Sequence, residues 1–149
     1  MKKENGRRHY NMATVLCLSF LASVFAEATH GAPRACTPQE AQAGEVSSAT
    51  ATSWKTLHRQ FRLYGHCDDG AIGEGFSESV TRLLADQWAT VRTVEPMIAA
   101  DRDFWRFIVR HVDATVPPDR LQKIARNASE RCPRNLKSFC ADVRAAAMK

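Results

Sequence analysis

The chain lacks any apolar run long enough to span a bilayer. A spanning helix takes about 20 predominantly apolar residues, and the apolar stretch over residues 12–26 is fifteen long. It also lacks blocks of like charge. Basic and acidic side chains are interspersed, which speaks against a nucleic-acid partner. No segment alternates apolar and polar residues with period two, so strands have no signal. There is no internal repeat and no low-complexity block. No C-x-x-C and no H-x3-H pattern is present, so the paired spacing of a structural zinc site is missing.

What is present begins with an address. Residues 1–11 are polar and carry Lys2, Lys3, Arg7 and Arg8, and residues 12–26 follow without a charge. Ala26-Glu27-Ala28 is an A-x-A exit. Together these predict a secretory signal peptide over residues 1–28 and a mature single helical domain over 29–149. Membrane association is expected only through the uncleaved leader. Removing residues 1–28 takes away four basic and two acidic side chains, leaving seventeen against fourteen and a net charge of +3. The four remaining cysteines, Cys36, Cys67, Cys132 and Cys140, form an even set. In an exported chain that predicts two disulfides with three possible pairings, and a periplasmic or secreted location.

The pairing depends on one break. A continuous helix from Pro38 to Tyr64 would hold Cys36 and Cys67 roughly 40 Å apart at about 1.5 Å per residue, and the late pair Cys132–Cys140, or one of these with Cys67, is then favoured. Residues 47–53 are poor helix formers, and a break there restores Cys36–Cys67. Thr37-Pro38-Gln39-Glu40 is a capping box with Pro at the first helical position. Trp54, Leu57, Phe61 and Tyr64 share a helical face that ends at Gly65. Ile72, Phe76, Val80, Leu83, Leu84, Trp88 and Val91 share another over residues 69–91, with Glu74, Glu78, Arg82 and Asp86 opposite. Gly73 lies on that apolar arc, where a neighbouring helix can approach, whereas Gly70 and Gly75 have no local reason in a helix. Short helices are expected at 96–100 and 102–112. Further ones follow the Pro117-Pro118 restart and Asn135, the latter read as a cap. The expected fold is an all-α, disulfide-stapled compact bundle of five or six helices.

Candidate sites are few. His66-Cys67-Asp68-Asp69 gathers three metal-ligand types, but reads more simply as a disulfide cysteine followed by a helix cap. Glu74 and Glu78 are one turn apart on a solvated face, which denies the desolvation that acid–base work needs. Ser77 lies in Gly75-Phe76-Ser77-Glu78-Ser79, which is not G-x-S-x-G and follows no strand. His111 falls inside an apolar arc, where a core histidine bonded to a backbone carbonyl is expected. Asn127-Ala128-Ser129 matches a glycosylation sequon in mid-helix. The Tyr64–Asp69 corner is the densest polar cluster, so Tyr64, His66, Asp68, Asp69 and Glu74 form the expected binding surface. No catalytic residue, metal ligand or cofactor is assigned.

In size and architecture the chain resembles the small periplasmic immunity proteins that neutralise antibacterial effectors: a leader, a similar mature length, helices and disulfides. That resemblance implies a protein partner. The alternatives are a small periplasmic enzyme with a polar site around residues 64–79, or a carrier of an apolar ligand.

Overall fold

The computed structural model describes residues 34–149. The leader expected over residues 1–28 lies outside the described residues. Within them the chain forms seven α-helices: α1 (Pro38–Ser48), α2 (Trp54–Tyr64), α3 (Gly70–Asp86), α4 (Glu95–Ala100), α5 (Arg102–Arg110), α6 (Pro118–Glu130) and α7 (Lys137–Ala147). Three 3-10 segments, Gly65–Cys67, Trp88–Val94 and Arg134–Leu136, join them, and no strand occurs among the described residues. The all-α class stands. The seventh helix is α4, a segment of six residues.

α1 begins on its capping box, with the Thr37 hydroxyl accepting from the Glu40 amide and the Glu40 carboxylate accepting from the Thr37 amide. It ends where the run of Ser, Thr and Ala removes helix propensity, and α2 restarts at Ser53, whose hydroxyl accepts from the Thr56 amide. The turn between them is held from α3. Ser79 donates to the Ser48 carbonyl at 2.6 Å, and Arg82 donates to the carbonyls of Ala49 and Ala51 at 3.1 and 2.9 Å. Gln60 donates to the Ser47 carbonyl at 2.8 Å. With the helix broken there, Cys36 and Cys67 come together, their Cα atoms 5.0 Å apart. The second disulfide is Cys132–Cys140, closing the α6–α7 hairpin.

α3 is the central helix, packed on α1 and α6. Phe76, Val80, Leu83 and Leu84 are fully buried, as their helical phase requires. An aromatic cluster joins α2, α3 and α5. The Phe107 ring centroid lies 4.7 Å from that of Phe61 and 4.9 Å from that of Phe76, within the range where aromatic pairs add to area burial. α5 contributes to the core in the same way: Phe104, Phe107 and Ile108 are buried.

α5 ends at Arg110 rather than at residue 112, and two further boundaries differ from expectation. α3 stops at Asp86 rather than at Val91, because Trp88 is drawn inward to donate from its indole to the Arg131 carbonyl at 3.0 Å. Asn127 then donates to the Leu84 and Ala85 carbonyls, both at 3.0 Å, satisfying acceptors that a helix end leaves orphaned. That role buries the Asn127 side chain and removes it as a glycan acceptor in the folded chain. Asn135 does not cap a helix either; its amide is engaged by the Glu95 carboxylate, and α7 starts two residues later.

The unexplained glycines acquire reasons. Gly70 takes a positive φ of 50° at the start of α3, a conformation that costs an L side chain about 1–2 kcal/mol. A Cβ on Gly75 would stand 2.1 Å from the Ser48 Oγ and 3.0 Å from the Ala49 backbone nitrogen. Gly75→Ala is therefore expected to destabilise by about 1–3 kcal/mol through overpacking, despite alanine's intrinsic helical advantage of about 1 kcal/mol. Phe76→Ala should cost about 3–5 kcal/mol. Urea denaturation reads both, and a stabilised Gly75→Ala would mean that α1 does not approach α3 there.

Candidate functional site

The site is organised around a carboxylate that the fold removes from water. Asp68 follows Cys67 directly, and the Cys36–Cys67 bond ties this corner to the start of α1. Its side chain is only 7% exposed. It lies against α3 at Gly73, where a Cβ would come within 3.3 Å of Asp68 Oδ1. The neighbour that uses the gap left by Gly73 is thus a carboxylate rather than a helix. Such a group needs donors, and the end of α5 supplies two: Arg110 Nη2 at 2.5 Å and His111 Nε2 at 3.1 Å. Burial pushes the Asp68 pKa up. The hydrogen bond of His111, followed by the hydrogen bond and charge of Arg110, outweighs it and holds the carboxyl below its ordinary value.

An ionised Asp68 only accepts, so His111 Nε2 carries a proton. In the neutral ring Nδ1 is then an acceptor. Ser77 Oγ lies 2.9 Å from it, so the hydroxyl donates to Nδ1. The result is a continuous relay, Ser77 Oγ–H to His111 Nδ1, then Nε2–H to Asp68. His111 is 7% exposed at its side chain and is seated against Phe107 and Phe76, with ring centroids 4.4 and 5.9 Å away. The expected backbone-bonded core histidine is therefore a side-chain-bonded one.

The relay forms the floor of a cleft of about 670 Å3. Glu74, Ser77 and Glu78 line it from α3, Asp113 from the turn after α5, and Arg120 from α6. Arg120 is bonded to the Glu78 carboxylate and donates to Thr81 Oγ1 at 3.2 Å. Glu78 also meets Arg82 at 3.4 Å. Asp69, which caps α3 through the Gly70 amide at 2.8 Å, lines the same space.

The polar corner expected to act as one surface divides in two. Asp68, Asp69 and Glu74 line the cleft, whereas Tyr64 and His66 do not. Tyr64 is half-buried against the core. His66 turns toward α1, its Nε2 3.3 Å from Glu40 Oε2. Glu40, His66 and Cys67 place potential metal-ligating atoms within 4.8 Å of one another, but the Cys67 sulfur is bonded to Cys36 and offers no thiolate. The Glu40 carboxyl is pushed down to about 2, chiefly by the backbone and side-chain hydrogen bonds of Thr37. Ser77 and His111 are the partners not foreseen. The one signal for them in the sequence is an imidazole on an otherwise apolar helical face.

A comparison with family models, curated proteins and solved structures returns no match for this chain. Two disulfides fit an oxidising compartment. No helix among the described residues is long and apolar enough to cross a membrane.

The pH dependence of stability follows from the lowered carboxyls. Asp101 is another: burial raises it, but its hydrogen bonds with His58 and the Phe104 amide bring it below its ordinary value. As pH falls, the unfolded chain takes up these protons first, so the folded state loses ground. The contribution of Asp68 and Asp101 is complete above the unfolded carboxyl range and disappears as pH drops below about 4. Thermal melts from pH 6 to pH 2 should show a falling midpoint, with a shallower fall in Asp68→Asn. An equal slope in that variant would contradict the Asp68 network.

Proposed function

We propose that this chain is an exported helical protein, of immunity or inhibitor type, that works by taking a cationic element of a partner protein into the α3–α5–α6 cleft. The single observation that carries this reading is the charge of the cleft. Arg110 is matched by Asp68 and Arg120 by Glu78. Asp69, Glu74 and Asp113 have no basic partner among the described residues and line the same cleft. A local excess of three carboxylates on a mature chain of net +3 is a complementary seat for lysine or arginine side chains and favours their approach. The leader pattern and the two disulfides support a periplasmic or secreted location.

The alternatives narrow on the same walls. An apolar carrier finds little support in a cleft bearing five acids, whereas an enzyme has a specific point in its favour, the Ser77–His111–Asp68 relay.

The test is capture from an envelope fraction with the mature protein, followed by affinity measurements on Asp69→Asn, Glu74→Gln and Asp113→Asn. Asn is as good a cap as Asp, so the first variant keeps α3 intact. The reading predicts graded losses of several-fold each among folded variants, and weaker binding at high salt as surface charges are screened. A partner whose affinity ignores all three substitutions and the salt concentration docks elsewhere.

A further inference from the structure

We infer that Ser77 is a nucleophile, activated by His111 as general base, and that the cleft accepts acyl esters carrying a cationic group. This goes beyond the docking of a protein and does not rest on it. It rests on three observations. A hydroxyl, an imidazole and a buried carboxylate stand in series at 2.9 and 3.1 Å. Asp68, bonded by Arg110 and His111 and seated at Gly73, fixes the tautomer that leaves Nδ1 free to take the Ser77 proton. Ser77 is only partly buried and lines a cleft large enough for a small molecule, so the relay ends in accessible space rather than in the core.

A nucleophile within hydrogen-bond reach of a base, itself oriented by a third group, is the arrangement that activates a weakly acidic hydroxyl. Here Nδ1 faces the serine and Nε2 faces the carboxylate. The chemistry asks only that one nitrogen accept while the other donates. In the step, the Ser77 Oγ bonds to the ester carbonyl carbon while its proton passes to Nδ1. The tetrahedral oxyanion then expels the alcohol oxygen, which takes that proton. Water repeats the sequence on the acyl-serine and releases the acid. Backbone amides around Ser77 are spent within α3, so the charge on the carbonyl oxygen falls to the guanidinium groups of Arg110 and Arg120, both lining the cleft. The unpaired Glu74 and Asp113 select a positive group on the substrate.

The decisive probe is a fluorophosphonate, applied to the mature protein with its disulfides intact. Ser77 Oγ attacks phosphorus, fluoride leaves, and the proton goes to His111. Peptide mass spectrometry should place the adduct on Ser77. Labelling should vanish in Ser77→Ala and fall at least tenfold in His111→Gln, given the 10^2–10^4-fold contribution typical of a positioned base. If His111→Gln does not fold by circular dichroism, Ser77→Cys supplies the second reading. Its thiol, paired with the same imidazole, should be alkylated by iodoacetamide at least tenfold faster than a free cysteine in solution. No adduct on Ser77 of the folded protein, labelling that ignores His111, or an ordinary rate at Ser77→Cys would each overturn the inference. Because labelling needs no partner protein, failure to capture one leaves this result untouched.

Discussion

A carboxylate taken out of water must be met by donors, and in this chain the requirement is concentrated at Asp68. Its oxygens are reached from the end of α5 by Arg110 and His111. Its seat exists because Gly73 leaves room on α3. The corner that carries it is tied to the start of α1 by Cys36–Cys67. Three elements remote in sequence thereby converge on one charged group. Removing both donors would strand the charge, and unpaired buried charge is among the costliest defects a fold can carry. Everything chemically distinctive about the cleft follows from it: the state of Asp68 sets the tautomer of His111, and the tautomer sets the direction of the Ser77 hydrogen bond.

The second constraint is the close approach of α1 to α3. Gly75 admits the end of α1, and Ser79, Arg82 and Gln60 satisfy the carbonyls of the 47–51 turn. A break that propensity alone would leave frayed becomes an ordered, partly buried turn. That turn reverses the chain, and the reversal brings Cys36 back to Cys67. The disulfide and the interhelical packing therefore describe the same geometry, one covalently and the other by side-chain hydrogen bonds to backbone carbonyls.

Much of the architecture was legible because its signals are local. The Thr37–Glu40 capping box, the Trp54–Tyr64 face, the core arc of α3 and the Pro117-Pro118 restart all depend on neighbours within a few turns. What escaped depends on partners far along the chain. His111 and Asp68 are 43 residues apart, and Ser77 and His111 are 34 apart. The early end of α3 likewise answers to Trp88 reaching Arg131, and the burial of Asn127 to carbonyls on another helix. The polar corner at residues 64–69 is legible as a cluster, but the parting of its side chains is not, because a 3-10 turn sends His66 toward α1 and Asp68 toward α5. A histidine on an apolar face is visible in the sequence; its partners are not, since helical phase says nothing about what arrives from a different helix.

The most direct test of the account is the tautomer of His111, read by long-range proton–nitrogen NMR on the folded protein at alkaline pH. The relay requires a neutral ring with its proton on Nε2 and a bare Nδ1 accepting from Ser77. A proton on Nδ1, or a ring averaging between both forms, would contradict it.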